Sequence, residues 1–323
     1  MQTIQELFDG ILSQNSRALS KGITLIESNL ETDTYKANQL VELCLQIPSK
    51  SLRIGISGIP GVGKSTFIDT FGTYLCSNGY SVAVLAVDPT SSISKGSILG
   101  DKTRMSSLSQ MQNCFIRPSP SGGSLGGVTK KMRETILLCE AAGYDYIFIE
   151  TVGVGQNEIT VRSMTDLFLL LMIAGAGDEL QGFKRGITEI SDIILVNKAD
   201  GDQKMASALT KAEYQRAVKF LTPSTAGWET LVQTFSSLDS SDCENLFHHI
   251  TSFNTHILST GIVSQRRREQ EIQWFDDLLH SIAFMYFFHS SLRIEFVNDL
   301  KKQISSGTIN ATIAINKVVN EMK

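Results

Sequence analysis

A single stretch, Gly-Ile-Pro-Gly-Val-Gly-Lys-Ser-Thr at residues 58–66, leaves little choice of architecture, because it fits G-x-x-x-x-G-K-[ST] over Gly58 to Ser65. Such a loop cradles phosphate only at a junction between a strand and a helix. Residues 52–57 (Leu-Arg-Ile-Gly-Ile-Ser) read as a short buried strand, and residues 66–75 carry apolar side chains at helical spacing. Gly58, Gly61 and Gly63 let the backbone turn sharply and bring N–H groups to phosphate oxygens, with the helix N-terminus adding favourable charge. Ile59, Pro60, Val62 and Thr66 complete the cradle. Lys64 is placed to reach the β- and γ-phosphates, and the Ser65 hydroxyl to ligate Mg²⁺.

The 323 residues predict about two units. Hydrophobic residues at 42% and charged residues at 19% suit a globular chain and exclude a disordered one. A net charge of −4 gives no sign of nucleic-acid binding. Five cysteines without a C-x-x-C pair suit a reducing cytosol, and the acidic start of the chain shows no secretory signal. The most apolar run, residues 167–176, is too short to span a membrane and reads as a buried strand. The expected location is cytoplasmic, with neither nucleic acid nor membrane as partner.

Residues 1–50 predict three helices, an N-terminal helical arm, with Asp33 capping the third and Pro48 after its end. From residue 52 to 199 strands at 52–57, 81–87, 113–116, 146–150, 167–173 and 193–196 alternate with helices, including one at 129–142. This predicts an α/β fold, a P-loop NTPase with a mainly parallel sheet flanked by helices, plus N-terminal and C-terminal helical extensions. The domain limits expected are 51–238 for the nucleotide domain and 239–323 for a C-terminal helical region. Helices are expected at 205–221, 228–238 and 269–289. The triplet Arg266, Arg267, Arg268 reads as a solvated face, and Trp274, Phe275, Leu278, Leu279, Ile282, Met285 and Tyr286 as core or a dimer surface.

Strand ends gather the chemistry, since ligands of open α/β sheets bind at the carboxyl ends of strands. Asp88 closes one strand and Asp101 lies in the loop that follows; both are candidates to surround a metal. Glu150 closes another and opens Glu150-Thr151-Val152-Gly153, an E-x-x-G variant of the motif whose glycine N–H senses γ-phosphate. Lys64, Asp88, Asp101, Glu150 and Gly153 are therefore the candidate catalytic groups, and Ser65, Asp88, Asp101 and Glu150 the candidate Mg²⁺ set. Asn197-Lys198-Ala199-Asp200 follows a strand as N-K-x-D. A carboxylate at Asp200 accepts from guanine N1–H and N2–H₂, so the motif favours GTP or GDP over adenine nucleotides.

The segments Val87-Asp88-Pro89-Thr90-Ser91-Ser92, Ser97-Ile98-Leu99-Gly100-Asp101-Lys102-Thr103-Arg104, Glu150-Thr151-Val152-Gly153-Val154-Gly155-Gln156 and Gly175-Ala176-Gly177-Asp178-Glu179-Leu180-Gln181-Gly182 together resemble the MeaB/ArgK-type GTPases. The resemblance covers about residues 15 to 290. It implies a homodimeric GTP-hydrolysing chaperone that gates cofactor loading and protection of an adenosylcobalamin-dependent acyl-CoA mutase, typically methylmalonyl-CoA mutase. It also implies that Asp178, Gln181 and Lys184 form a third switch loop coupling the mutase to hydrolysis, and that Ser224, Thr225 and Ala226, after Pro223, complete the guanine pocket. Two other readings stand beside it. One is an ArgK-like kinase linked to amino-acid transport, for which no acceptor site is evident. The other is a nickel-delivery GTPase, against which the loose spacing of Cys243, His248, His249 and His256 argues.

Overall fold

The computed structural model describes residues 3–28, 30–87, 105–117, 125–151, 157–175, 186–287, 291–306 and 308–321. Among them seven strands form one sheet: β1 (Leu52–Gly58), β2 (Val82–Val87), β3 (Cys114–Arg117), β4 (Tyr146–Thr151), β5 (Leu167–Ile173), β6 (Ile193–Asn197) and β7 (Leu231–Thr234). Their order is β3-β2-β4-β1-β5-β6-β7, every neighbouring pair parallel. Because every pair is parallel, each connection must cross back over a face of the sheet, and those crossovers cover both faces with helices.

Successive side chains of a strand point to opposite faces, and this chain fills both. Ala83, Leu85, Ile147, Ile149 and Phe168 point to the face packed by α1 (Ile4–Leu12), α2 (Ser16–Glu27), α3 (Glu31–Leu45) and α5 (Leu125–Ala141). Val82, Val84, Phe148, Leu169 and Leu195 point to the other, packed by α4 (Lys64–Ser77) and α8 (Ser240–Ser259). A smaller group around Leu170, Ile194 and Val232 lies under α7 (Lys204–Ala217). The first three helices thus share their core with the sheet.

Residues 1–270 form one compact unit and 271–323 a second. The long helix α9 (Ile262–Phe287) belongs to the first up to Gln270. In the second unit α10 (Ser291–Ser305) packs with α11 (Ala311–Glu321). No helix of the described residues is long and apolar enough to cross a membrane.

Four expectations change. Residues 231–234, expected within a helix, form β7, the edge strand beside β6. Trp228, Leu231 and Phe235 mimic helical spacing, but the pairing of Ile193 with Leu231 through Val196 with Thr234 decides the segment. Asp33 does not cap α3: that helix starts at Glu31 after Leu30, and Asp33 instead accepts from Ser28 Oγ at 2.7 Å. Arg266 and Arg267 are not solvated; they are drawn into ion pairs and hydrogen bonds beneath the sheet, and only Arg268 faces water. The stripe on α9, expected as core or a dimer surface, narrows to a surface: Phe275, Leu279 and Ile282 are 63%, 52% and 44% exposed, and Ile272 beside them is 63% exposed.

Candidate nucleotide site

The loop from Gly58 to Gly63 sits where β1 ends and α4 begins. Only glycine suits its two tightest points. At Gly58 φ is 151° and a Cβ would lie 2.5 Å from the Leu171 carbonyl oxygen. At Gly63 φ is 96° and a Cβ would lie 2.8 Å from Asn197 Nδ2. Lys64 is buried, and its Nζ donates to Gly58 O at 2.7 Å and Ile59 O at 3.4 Å, which folds the ammonium back over the loop. Burial pushes its pKa down, opposed by the charges of Glu150 and Glu158.

Beside the loop β4 delivers Glu150, which is buried and accepts from Ser65 Oγ at 3.3 Å. Thr151 Oγ1 donates to Ser57 Oγ at 3.1 Å, tying the ends of β4 and β1 together. Ser65 and Glu150 place two hard oxygen donors side by side, a set that suits Mg²⁺. Asp88, Asp101, Gly153, Asp178, Gln181 and Lys184 lie outside the described residues.

The motif after β6 grips the same loop from the other side. Asn197 Nδ2 donates to Val62 O at 2.8 Å, and Lys198 Nζ donates to Gly61 O at 2.9 Å. Lys198 holds φ at 58°, a conformation that few non-glycine residues adopt and that clusters at binding sites. Asn197 Oδ1 is buried with no hydrogen-bond partner, an acceptor that a ligand N–H would satisfy. Asp200 Oδ2 accepts from Ser236 Oγ at 2.7 Å.

That last bond corrects one site expectation. Ser224, Thr225 and Ala226 stand at the opposite, amino end of the strands. The Ser224 hydroxyl accepts from Arg162 at 2.8 Å, and Thr225 is buried, donating to Asp192, the residue before β6. Ala226 O meets His256 Nε2 at 2.9 Å. The chain returns along α7, turns there, and only then rises through β7. Phe235 N donates to Val196 O at 2.9 Å and Ala199 N to Phe235 O at 3.1 Å, which carries Ser236 up to Asp200. Ser236 was missed because the strand that delivers it was read as helix. Its signal was present in Val232-Gln233-Thr234-Phe235-Ser236, an alternating, partly β-branched run with a serine at its end. Glu158, on the short helix α6 (Asn157–Arg162), is buried at 4% exposure with an unpartnered Oε1.

A glycine-rich loop at a strand–helix turn, an acid at the end of the neighbouring strand and the segment from Asn197 to Asp200 occupy one rim. Comparison with known proteins fits this rim. The sequence model described as "Methylmalonyl Co-A mutase-associated GTPase MeaB" matches residues 19–287. The chain belongs to the MeaB family. It is accordingly a GTPase of the P-loop class. The GTPase ArgK of Escherichia coli strain K12 is 44% identical over 264 residues, covering 81% of this chain and 80% of that protein. A Caenorhabditis elegans protein described as "Methylmalonic aciduria type A homolog, mitochondrial" is 40% identical, covering 98% of this chain and 82% of its own length. Among solved structures, one described as a LAO/AO transport system kinase superposes with a TM-score of 0.81 at 30% identity, covering 99% of this chain and 97% of that one. As a GTPase of this family, the chain binds guanine nucleotide.

Proposed function

We propose that this GTPase is a nucleotide-gated chaperone of an adenosylcobalamin-dependent acyl-CoA mutase of the methylmalonyl-CoA type, controlling cofactor loading and protecting the loaded enzyme. The observation that carries the reading is the match of residues 19–287 to a family described by its association with that mutase. Its working form is a cytoplasmic homodimer, with residues 51–238 as the GTPase domain and the dimerising surface within 239–323. Five free thiols suit a reducing compartment, and the exposed stripe Ile272, Phe275, Leu279 and Ile282 supplies apolar surface for a second copy.

In the mechanism Lys64 leaves the carbonyls of Gly58 and Ile59 and turns to the β- and γ-phosphates, exchanging two neutral acceptors for charged ones. Ser65 and Glu150, joined by Asp88 and Asp101, would hold Mg²⁺, which when bound would neutralise charge on the phosphate oxygens. Glu150 orients the attacking water, and Gly153 reports the γ-phosphate to the chain that follows. Asp200 accepts from guanine while Ser236 fixes its carboxylate. Asp178, Gln181 and Lys184 answer to the mutase.

Purified protein with Mg²⁺ should hydrolyse GTP slowly and in preference to ATP, and a mutase of this type from the same organism should accelerate it. Turnover indifferent to the mutase would sink the chaperone reading. A second reading, a nucleotide-dependent kinase linked to amino-acid transport, draws on the structural likeness to the LAO/AO transport system kinase. Phosphate appearing on an added amino acid or protein acceptor instead of in water would favour it.

A further inference from the structure

Of the five free cysteines, Cys44, Cys139 and Cys243 are sealed in the core, whereas Cys76 keeps 5% exposure and Cys114 is half-buried. The last two meet. Cys76 lies in the last turn of α4, and Cys114 opens β3, where it stands beside Val82 of β2. Asn113, the residue before Cys114, stitches these elements together. Its Nδ2 donates to Cys76 O at 3.0 Å and to Tyr80 O at 2.5 Å, and its carbonyl oxygen accepts from Val82 N at 3.0 Å. Cys76 Sγ lies 3.9 Å from that same carbonyl oxygen, on the peptide that leads into Cys114. The two thiols hydrogen-bond to each other.

A thiol attacks as its thiolate, and burial in apolar surroundings suppresses that form. Burial does so at Cys44, Cys139 and Cys243, pushing all three thiols up. At Cys76 the hydrogen bond from Cys114 outweighs burial and holds the thiol below its ordinary pKa, while the same bond, with burial, pushes Cys114 up. One sulfur is primed, and a second stands beside it to resolve what the first forms, the arrangement of a redox-sensing pair. The bonds through Asn113 hold the two backbones side by side, as a disulfide that closes without moving the main chain requires. At 5% exposure Cys76 admits a small oxidant and excludes a bulky one.

We propose that Cys76 and Cys114 form a redox site, which hydrogen peroxide converts into an intramolecular disulfide that staples the last turn of α4 to the first residue of β3. The Cys76 thiolate attacks one peroxide oxygen and breaks the O–O bond. This leaves sulfenic acid at Cys76 and a hydroxide that takes up the proton Cys76 gave off, becoming water. The Cys114 sulfur then attacks the Cys76 sulfur, forming the S–S bond and displacing a second hydroxide, which leaves with the Cys114 proton as a second water. Peroxide is reduced, the two sulfurs are oxidised, and a thiol reductant reverses the staple.

Treating the folded full chain with a small excess of peroxide, alkylating it in denaturant and mapping its peptides by mass spectrometry tests this. The expected result is a loss of two hydrogen atoms, a cross-linked peptide pair holding Cys76 and Cys114, full recovery with dithiothreitol, and alkylation of Cys44, Cys139 and Cys243 as in untreated protein. Five alkylated thiols after treatment, a disulfide between two chains, or Cys114 carried to sulfinic acid with no link to Cys76 would each overturn the proposal. In Cys114→Ser the resolving sulfur is gone, so Cys76 should stop at a sulfenic acid that dimedone traps; an unmodified Cys76 there removes its role as the attacking group. Urea melts then ask whether the pair is preformed. The oxidised chain should unfold at a higher urea midpoint than the reduced one, and a lower midpoint would mean that the sulfurs had to be dragged together. If the variant does not fold, the peptide map of the unaltered chain decides alone.

Discussion

At the scale of single residues the informative group is Ser236. Its hydroxyl donates to Asp200 at 2.7 Å and also accepts from Leu238 N at 3.1 Å, so the carboxylate is held by a residue that is itself held. A hydrogen bond to a charged group contributes about 1.5–3 kcal/mol. Part of that survives loss of the hydroxyl, because water can reach the half-buried Asp200. Ser236→Ala should therefore weaken GDP and GTP binding about fivefold to tenfold while leaving the preference for guanine intact. Titration with a fluorescent guanine nucleotide would measure it; unchanged affinity would detach Ser236 from the site. The opposite substitution pattern is expected at Ser224, which bonds Arg162 at the amino end of the sheet and should leave nucleotide affinity untouched.

Among the elements, strands buried on both faces declared themselves in the sequence by short apolar runs, and β5 matches its expected limits, residues 167–173. What hid were features whose cause lies in another element. β7 is an edge strand with one neighbour, and its Trp228, Leu231 and Phe235 repeat at helical intervals, so only pairing with β6 settles it. Arg266 and Arg267 look solvated in isolation because their partners, Asp166, Glu140 and Thr225, are at least forty residues away in sequence. The phosphate loop and Asn197–Asp200 were legible because their chemistry is local. Asp166 binds the hidden elements together. Its carboxylate accepts from Arg267 Nη2 at 2.6 Å and from Arg53 N at 2.9 Å, joining α9, β1 and β5. Full burial alone would raise its pKa, but the Arg267 hydrogen bond, then the charges of Arg267 and Arg53, carry it below the ordinary carboxylate value. A depressed folded value means stability that is complete above the unfolded-state pKa of about 3.9 and lost as pH falls through the folded one. Asp166→Asn should cost about 1.5–3 kcal/mol at neutral pH, since the half-buried Arg267 would lose its closest partner and keep only Glu140. In urea melts across pH 2–7 the gap between the two proteins should hold steady above about pH 5 and narrow below the unfolded-state value. A gap independent of pH would mean that Asp166 contributes no charge.

For the whole molecule, the apolar stripe on α9 makes a test of assembly. Phe275, 63% exposed on a helix face shared with Ile272, Leu279 and Ile282, is the residue whose change to glutamate should convert a dimer into a monomer at micromolar concentration. Sedimentation velocity reads this directly, and a monomeric unaltered protein would refute the assembly outright. A different consequence follows from the sharing of one core between α1–α3 and the sheet. Ile11, Leu19, Ile23 and Leu40 are completely or almost completely buried, in the same cluster as Leu138, Ile136 and Ile147. α2 ends at Glu27, whereas α5 begins only at Leu125. On a ribosome adding about 5–20 residues per second, the first three helices wait on the order of ten seconds for the surface that covers them. They emerge amphipathic, with their apolar faces open to water, and the shared core must close over a loop of about a hundred residues. Until residue 125 emerges, α1, α2 and α3 have only one another to pack against, so slowing translation before that point should raise the fraction lost to aggregation.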